Sequence, residues 1–127
     1  MKTKEIIMES YSAYILDDNS RKKLVERFPP KYSKFIGHHI TIQFGGKPEL
    51  PPDASIKVVG YVDSGDGLEA LVVSVDGSSK RADGSIYHIT WSLEPDIYKP
   101  VDSNKLLARK RYTLIKGIPV NTIAKIL

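Results

Sequence analysis

Two stretches of this chain, His38-His39-Ile40-Thr41-Ile42-Gln43-Phe44 and Tyr87-His88-Ile89-Thr90-Trp91-Ser92-Leu93, repeat the triplet His-Ile-Thr inside an alternation of polar and apolar residues. That alternation limits the fold more than any other feature, because residues two apart in a strand share a face. Each stretch is expected to be a half-buried strand. His39, Thr41 and Gln43 should point one way and Ile40, Ile42 and Phe44 the other. In the later stretch His88, Thr90 and Ser92 should oppose Tyr87, Ile89, Trp91 and Leu93. The chain must then hold sheet with an apolar side for a core and a polar side carrying imidazoles and hydroxyls. With five threonines and three histidines in 127 residues, coincidence is a poor source for this echo.

The rest of the chain supplies further strands and two short helices. Tyr11 to Leu16 has strand composition, after a frayed or loosely paired start. Asp17-Asp18-Asn19-Ser20 offers capping side chains and acidic charge where a helix begins. Leu24, Val25 and Phe28 give that helix its apolar face, Arg21, Lys22, Lys23 and Arg27 are read as solvated, and Pro29-Pro30 ends it. A Gly/Pro loop covers Gly45 to Asp53. Ile56 to Asp63 and Leu68 to Asp76 read as strands joined at Ser64-Gly65-Asp66-Gly67, a hairpin signal, and the run from Ala70 to Val75 suggests burial on both faces. Gly77 to Gly84 is a polar loop. Asp102-Ser103 can cap a helix containing Leu106 and Leu107, Tyr112 to Ile118 reads as a strand, and the tail beyond Pro119 is ambiguous. No linker or low-complexity stretch intervenes, so one α+β domain over 1–127 is expected.

Composition narrows the function. A formal charge of +4 fits a phosphate-bearing ligand but is too small for a protein that coats duplex DNA. The absence of cysteine excludes thiolate zinc sites, cysteine nucleophiles and disulfides, and fits a cytoplasmic address. The longest wholly apolar run, Ala70 to Val73, is far shorter than the roughly 20 residues of a membrane helix. Glu5 and Glu9 interrupt the apolar residues that a signal peptide would need.

If the two triplets meet over one cleft, they match the needs of phosphodiester chemistry without a metal or other cofactor. Imidazole, with an ordinary pKa of about 6.5, takes or gives a proton near neutrality. One of His39 and His88 can serve as general base and the other as general acid, each step being worth roughly 10²–10⁴ in rate. Thr41 and Thr90 can donate to the non-bridging phosphate oxygens. The pair needs unequal protonation, which gives a bell-shaped pH–rate profile.

Paired H-x-T motifs on two strands resemble those of the 2H phosphoesterase superfamily, which includes the RNA 2′,3′-cyclic phosphodiesterases and 2′–5′ RNA ligase-like proteins. The resemblance implies a bilobal α+β fold with pseudo-twofold symmetry, antiparallel sheets around a central cleft, two helices packed outside, and one motif from each lobe. His39, Thr41, His88 and Thr90 match residue by residue. Phe28-Pro29-Pro30 followed by Gly37-His38-His39-Ile40-Thr41, in so short a chain, is similar to the bacteriophage anti-CBASS enzymes, which cleave the cyclic oligonucleotide messengers of bacterial immunity. This implies cleavage of a 3′–5′ linkage in a cyclic di- or trinucleotide. The alternatives are an RNA 2′,3′-cyclic phosphate end, and a nucleotide sponge without turnover. Ile42 and Trp91 stand where many RNA-acting members have Leu, which weighs against the RNA end.

Other residues are candidates by position. If the Ala13/Ile15 side of the first strand packs inward, Tyr14, with Ser12 beside it, enters the cleft and stacks on a base, a contact worth roughly 1–3 kcal/mol. Lys80 and Arg81, in the loop before the second triplet, can reach phosphate, although solvated charge is the default for such residues. The same holds for Arg109, Lys110 and Arg111. Trp91 is expected in the core. His38 is expected to face away from His39 as a packed or hydrogen-bonded histidine, and the same parity keeps the two from sharing a metal. A zinc ion would need His39, His88 and a carboxylate, without H-E-x-x-H spacing. Gly45-Gly46-Lys47 lacks P-loop spacing. A strand near Val120 to Leu127 could pair with a second copy, making a homo-oligomer, or cover the cleft.

Overall fold

A computed structural model describes residues 10–127, so the expected loose start and the interrupting glutamates lie outside the described residues. The elements run β1 (Tyr11–Leu16), α1 (Asp18–Arg27), β2 (Lys34–Phe35), β3 (His39–Phe44), β4 (Ile56–Asp63), β5 (Leu68–Val75), β6 (His88–Leu93), α2 (Asp102–Arg109), β7 (Thr113–Val120) and β8 (Thr122–Ile126). They form two antiparallel sheets, ordered β3-β1-β8 and β2-β6-β5-β4-β7. The fold class is α+β. No helix among the described residues is long and apolar enough to cross a membrane.

Local chemistry accounts for most boundaries. Asp17 caps α1, its side chain accepting the Ser20 N–H at 2.7 Å, and the helix stops before Pro29-Pro30. β5 ends at Val75 because Asp76 and Gly77 both take positive φ (49° and 88°), the geometry of a tight hairpin turn back to Ser78. The ambiguous tail becomes β8, which pairs with β1 of its own chain from Thr122 to Ile126. At α2, Asp102 accepts the Lys99 N–H at 2.8 Å. The expected cap Ser103 is buried and hydrogen-bonded elsewhere, to Thr90.

The five-stranded sheet is covered on both sides, which is why β5 is buried along nearly its whole length. On one side Leu71 and Val73 join Tyr14, Leu16, Leu24, Ile40, Ile89 and Trp91 in a core shared with the three-stranded sheet and α1. On the other, Leu68, Ala70 and Val72 pack with Val62, Leu93 and the α2 residues Leu106 and Leu107. Trp91 is fully buried, as expected, with its indole N–H donating to the Phe28 carbonyl at 2.7 Å.

Candidate active site

The segment between β2 and β3 brings the two triplets together. β2 pairs with β6, and Ile36 and Gly37 extend that pairing through their N–H groups to the carbonyls of Trp91 (2.9 Å) and Thr90 (3.0 Å). The chain then leaves the five-stranded sheet at Gly37, whose φ of 47° suits glycine. One residue later the His38 carbonyl accepts the Leu16 N–H at 3.1 Å, and β3 pairs with β1 in the other sheet. β3 and β6 consequently pack side by side, with the shared core behind them. Arg21, expected to be solvated, instead binds the crossing segment. Its guanidinium donates to the carbonyls of Gly37 (2.7 Å) and Ile36 (3.1 Å) and lies 4.4 Å over the Phe35 ring.

Both triplets are followed by a one-residue β-bulge at the equivalent position. On β3, Ala13 pairs with Thr41 but Ser12 with Gln43, leaving Ile42 as the extra residue; on β6, Ala70 pairs with Thr90 but Glu69 with Ser92, leaving Trp91. A bulge breaks strict alternation. The parity expectation therefore fails at Phe44 and at Ser92. Phe44 comes onto the His39 side and packs, tilted, against Tyr11 at 5.8 Å, while Gln43, paired with Ser12, still lines the cleft with His39 and Thr41. Ser92 turns away from His88 and Thr90 and donates its hydroxyl to the buried carboxyl of Glu69.

His39, Thr41, His88 and Thr90 all line one cleft of about 1120 Å³, together with Tyr11, Phe44, Arg81, Tyr87 and Asn104. His88 is only 7% exposed, and its Nδ1 lies 2.8 Å from the Ile86 carbonyl. A carbonyl can only accept, so Nδ1 carries the hydrogen and Nε2 keeps the lone pair. Burial pushes His88 down to about 4, with the charges of Arg81 and His39 acting the same way and the Ile86 hydrogen bond opposing them. His39 is also held down to about 4, first by burial and then by the neighbouring His38. Both rings are neutral at pH 7. The unequal protonation expected from the sequence is not built into the two rings themselves, which are shifted alike.

The threonines are not equivalent. Thr90 donates its hydroxyl to the Pro100 carbonyl at 3.1 Å and meets the Ser103 hydroxyl at 2.8 Å, so it is tied to the start of α2. The Thr41 carbonyl accepts from Arg81 Nε at 2.8 Å, while its hydroxyl has no hydrogen bond to any described residue. Arg81 reaches across from the loop before β6, also donates to the Ser85 hydroxyl (2.7 Å) and Asn104 (3.3 Å), and lies over the Tyr87 ring. It places one fixed cation between the two triplets.

Three expected ligand residues are not in this cleft. Tyr14 is buried in the core with its hydroxyl on the Pro52 carbonyl at 2.6 Å. Ser12 is buried and accepts the Gln43 N–H at 3.1 Å. The phase of β1 is opposite to that expected, because Tyr14 and Leu16 together bring more apolar surface to one face than Ala13 and Ile15 bring to the other. Tyr11 thus takes the position foreseen for Tyr14, its ring 5.3 Å from that of His39. Lys80 is exposed and outside the cleft lining, held by a bridge to Ile86. His38 is the hydrogen-bonded histidine expected, but it does not face away from His39. It precedes the regular strand, and its Nδ1 lies 2.9 Å from Nδ1 of His39. Tyr11, Tyr87 and Asn104 carried no motif; for Tyr11, its parity opposite Leu16 was the available signal.

Burial of a neutral histidine makes stability depend on pH. The unfolded His88 titrates near 6.5 and the folded one near 4, so between those values the unfolded chain binds more protons. The contribution is fully present above pH 6.5 and is lost as pH falls towards 4, amounting to about 3 kcal/mol for this ring. Urea denaturation across pH 7 to 4 should show that decline, and His88→Gln should reduce it while leaving the part that His39, also held down to about 4, contributes.

Among the described residues no group of three or more His, Asp or Glu side chains is placed to hold a metal ion. Asp83, a carboxylate in the cleft lining, accepts from both the N–H (2.9 Å) and the hydroxyl (2.6 Å) of Ser85. No protein-family model, curated protein or solved structure matches the chain.

Proposed function

We propose that the cleft is a phosphodiesterase site of the 2H type that opens a cyclic di- or trinucleotide at a 3′–5′ linkage without a metal ion. The observation that carries this reading is that the imidazoles of His39 and His88, distant in sequence, line one cleft with Arg81 beside them. A phosphodiester bound there brings the negative charge that favours a catalytic proton at the site. Substrate and catalytic proton therefore enter together. Arg81, through the Nη2 that its bonds to Thr41, Ser85 and Asn104 leave over, and the Thr41 hydroxyl are the groups able to hold phosphate oxygens as charge develops. Thr90 supports the site through α2 and can serve phosphate only by leaving Pro100.

The matched bulges after the two triplets, one in each sheet, support the pseudo-twofold, bilobal plan of that superfamily. Size favours a substrate larger than one nucleotide, since the cleft exceeds the roughly 300–1,000 Å³ of pockets for small ligands. Tyr11 and the exposed Phe44 offer π-faces to a base at its rim. With a ribose 2′-hydroxyl as nucleophile, the first product is a linear isomer ending in a 2′,3′-cyclic phosphate.

Incubation with 3′,5′-linked cyclic di- and trinucleotides, and separately with RNA ending in a 2′,3′-cyclic phosphate, tests this by mass spectrometry and chromatography. The expected result is ring opening at a rate unaffected by exhaustive EDTA treatment. Turnover of the RNA end alone would move the assignment to that substrate. Binding without turnover would make the protein a sponge, and loss in EDTA with recovery in zinc would replace the two-imidazole chemistry.

A further inference from the structure

The exposed histidine beside the cleft adds an element to the site. His38 and His39 meet through their Nδ1 atoms at 2.9 Å, the two rings lying at 82° with centroids 5.0 Å apart. One hydrogen lies between two nitrogens that can each donate or accept. Its owner decides the chemistry. If His39 donates, its Nε2 keeps a lone pair, and the cleft then contains two bases, because His88 already presents Nε2 as a lone pair through its bond to Ile86. If His38 donates, His39 presents an N–H at Nε2, and the two rings in the cleft are complementary.

We propose that His38 is the positioning residue of this site: its Nδ1–H donates to His39 Nδ1, fixes His39 as the Nε2–H tautomer that acts as general acid, and its exposed ring holds the positive charge of the protonated pair. This rests on the phosphodiester reading of the cleft and assigns the roles that reading left open, His88 as base and His39 as acid. Charge on the pair is cheapest where water solvates it, which is the exposed His38 ring rather than the half-buried His39. The titratable or charged groups around the pair are Tyr11 from β1, Arg21 from α1, whose guanidinium holds the Gly37 carbonyl next to His38, His88 from β6, and Arg81, Asp83 and Tyr87 from the segment before β6. Asp83 is engaged by Ser85.

The step balances. His88 Nε2 takes the ribose O2′ proton and O2′ bonds to phosphorus. The bond from phosphorus to O5′ breaks, its electron pair going to O5′, which takes the Nε2 proton of His39. The Nδ1 proton of His38 moves to His39 Nδ1, so His39 is neutral before and after, His38 loses its charge and His88 gains one.

Kinetics of His38→Ala and His38→Asn, with imidazole nitrogen NMR of the unmodified chain, test the proposal. His38→Ala should lower kcat about a hundredfold with KM little changed, and added free imidazole should restore part of the loss. His38→Asn, which keeps an N–H donor but carries no charge, should fall between the two, with its pH–rate profile displaced towards acid. NMR should place the hydrogen of neutral His39 on Nε2. An unchanged kcat and profile in His38→Ala, or a His39 hydrogen on Nδ1, would overturn the proposal. If the unmodified chain turns over no phosphodiester, the reading of the cleft fails, while the tautomer still decides the role of His38.

Discussion

Replacing His88 or His39 by alanine is expected to lower kcat/KM for a cyclic dinucleotide by at least about a hundredfold, with the loss in kcat rather than in binding. Each ring supplies a proton transfer made only in the transition state, and the phosphate is held by Arg81 and Thr41, which the substitutions leave in place. The two losses should not multiply, because removing the base already makes a placed acid useless. His88 is also a structural residue. Its removal leaves the Ile86 carbonyl without its partner and opens space in a buried strand. His88→Gln therefore accompanies His88→Ala, and thermal melting separates loss of folding from loss of chemistry. Equal turnover by both single variants and the unmodified chain would end the two-imidazole account.

The second large effect is expected at Gly37, which touches neither substrate nor imidazole. A Cβ added there would lie 2.4 Å and 2.5 Å from the Phe35 ring and 3.0 Å from the Trp91 ring. Phe35 is itself fixed edge-to-face against Trp91 at 4.9 Å and lies under the Arg21 guanidinium, so it has little room to retreat. The positive φ adds about 1–2 kcal/mol for any L side chain, more for a branched one, and overpacking another 1–3 kcal/mol. Gly37→Val should thus cost about 3–5 kcal/mol. It should also abolish most activity, because the N–H of Gly37 joins the crossing segment to Thr90 of the second triplet. Denaturant unfolding and activity assays at matched folded fraction read the two effects. An active Gly37→Val of normal stability would show that the crossing does not set the spacing of the triplets.

The sequence made the secondary structure legible where local chemistry decides it. Asp17 as a cap, the double proline after α1 and the Gly65–Gly67 hairpin each act within a few residues, and the elements fall close to where those signals put them. The pairing of His39 with Thr41 and of His88 with Thr90 on common faces was legible too, since period two holds over three residues. What alternation could not show was the bulge after each threonine, a property of the partner strands: it moved Phe44 towards His39 and Ser92 away from His88. The phase of β1 was misread for a related reason. Which face of Tyr11–Leu16 is inward depends on what the shared core needs, and Tyr14 with Leu16 filled it. The roles of Arg81 and Arg21 depend on backbone carbonyls distant in sequence, and residue type alone does not reveal such partners. His38 was assigned away from His39 on the premise of a regular strand that begins only at His39.

The central claim is that two imidazoles contributed by separate sheets act on a single bound phosphodiester. It is tested most directly by titrating isotope-labelled protein with a 3′,5′-linked cyclic dinucleotide lacking both 2′-hydroxyls, which offers the phosphate but no nucleophile. The ring nitrogens of His39 and His88 should shift together with one dissociation constant as the anion binds. Movement of only one ring, or of the two at separate ligand concentrations, would contradict the account.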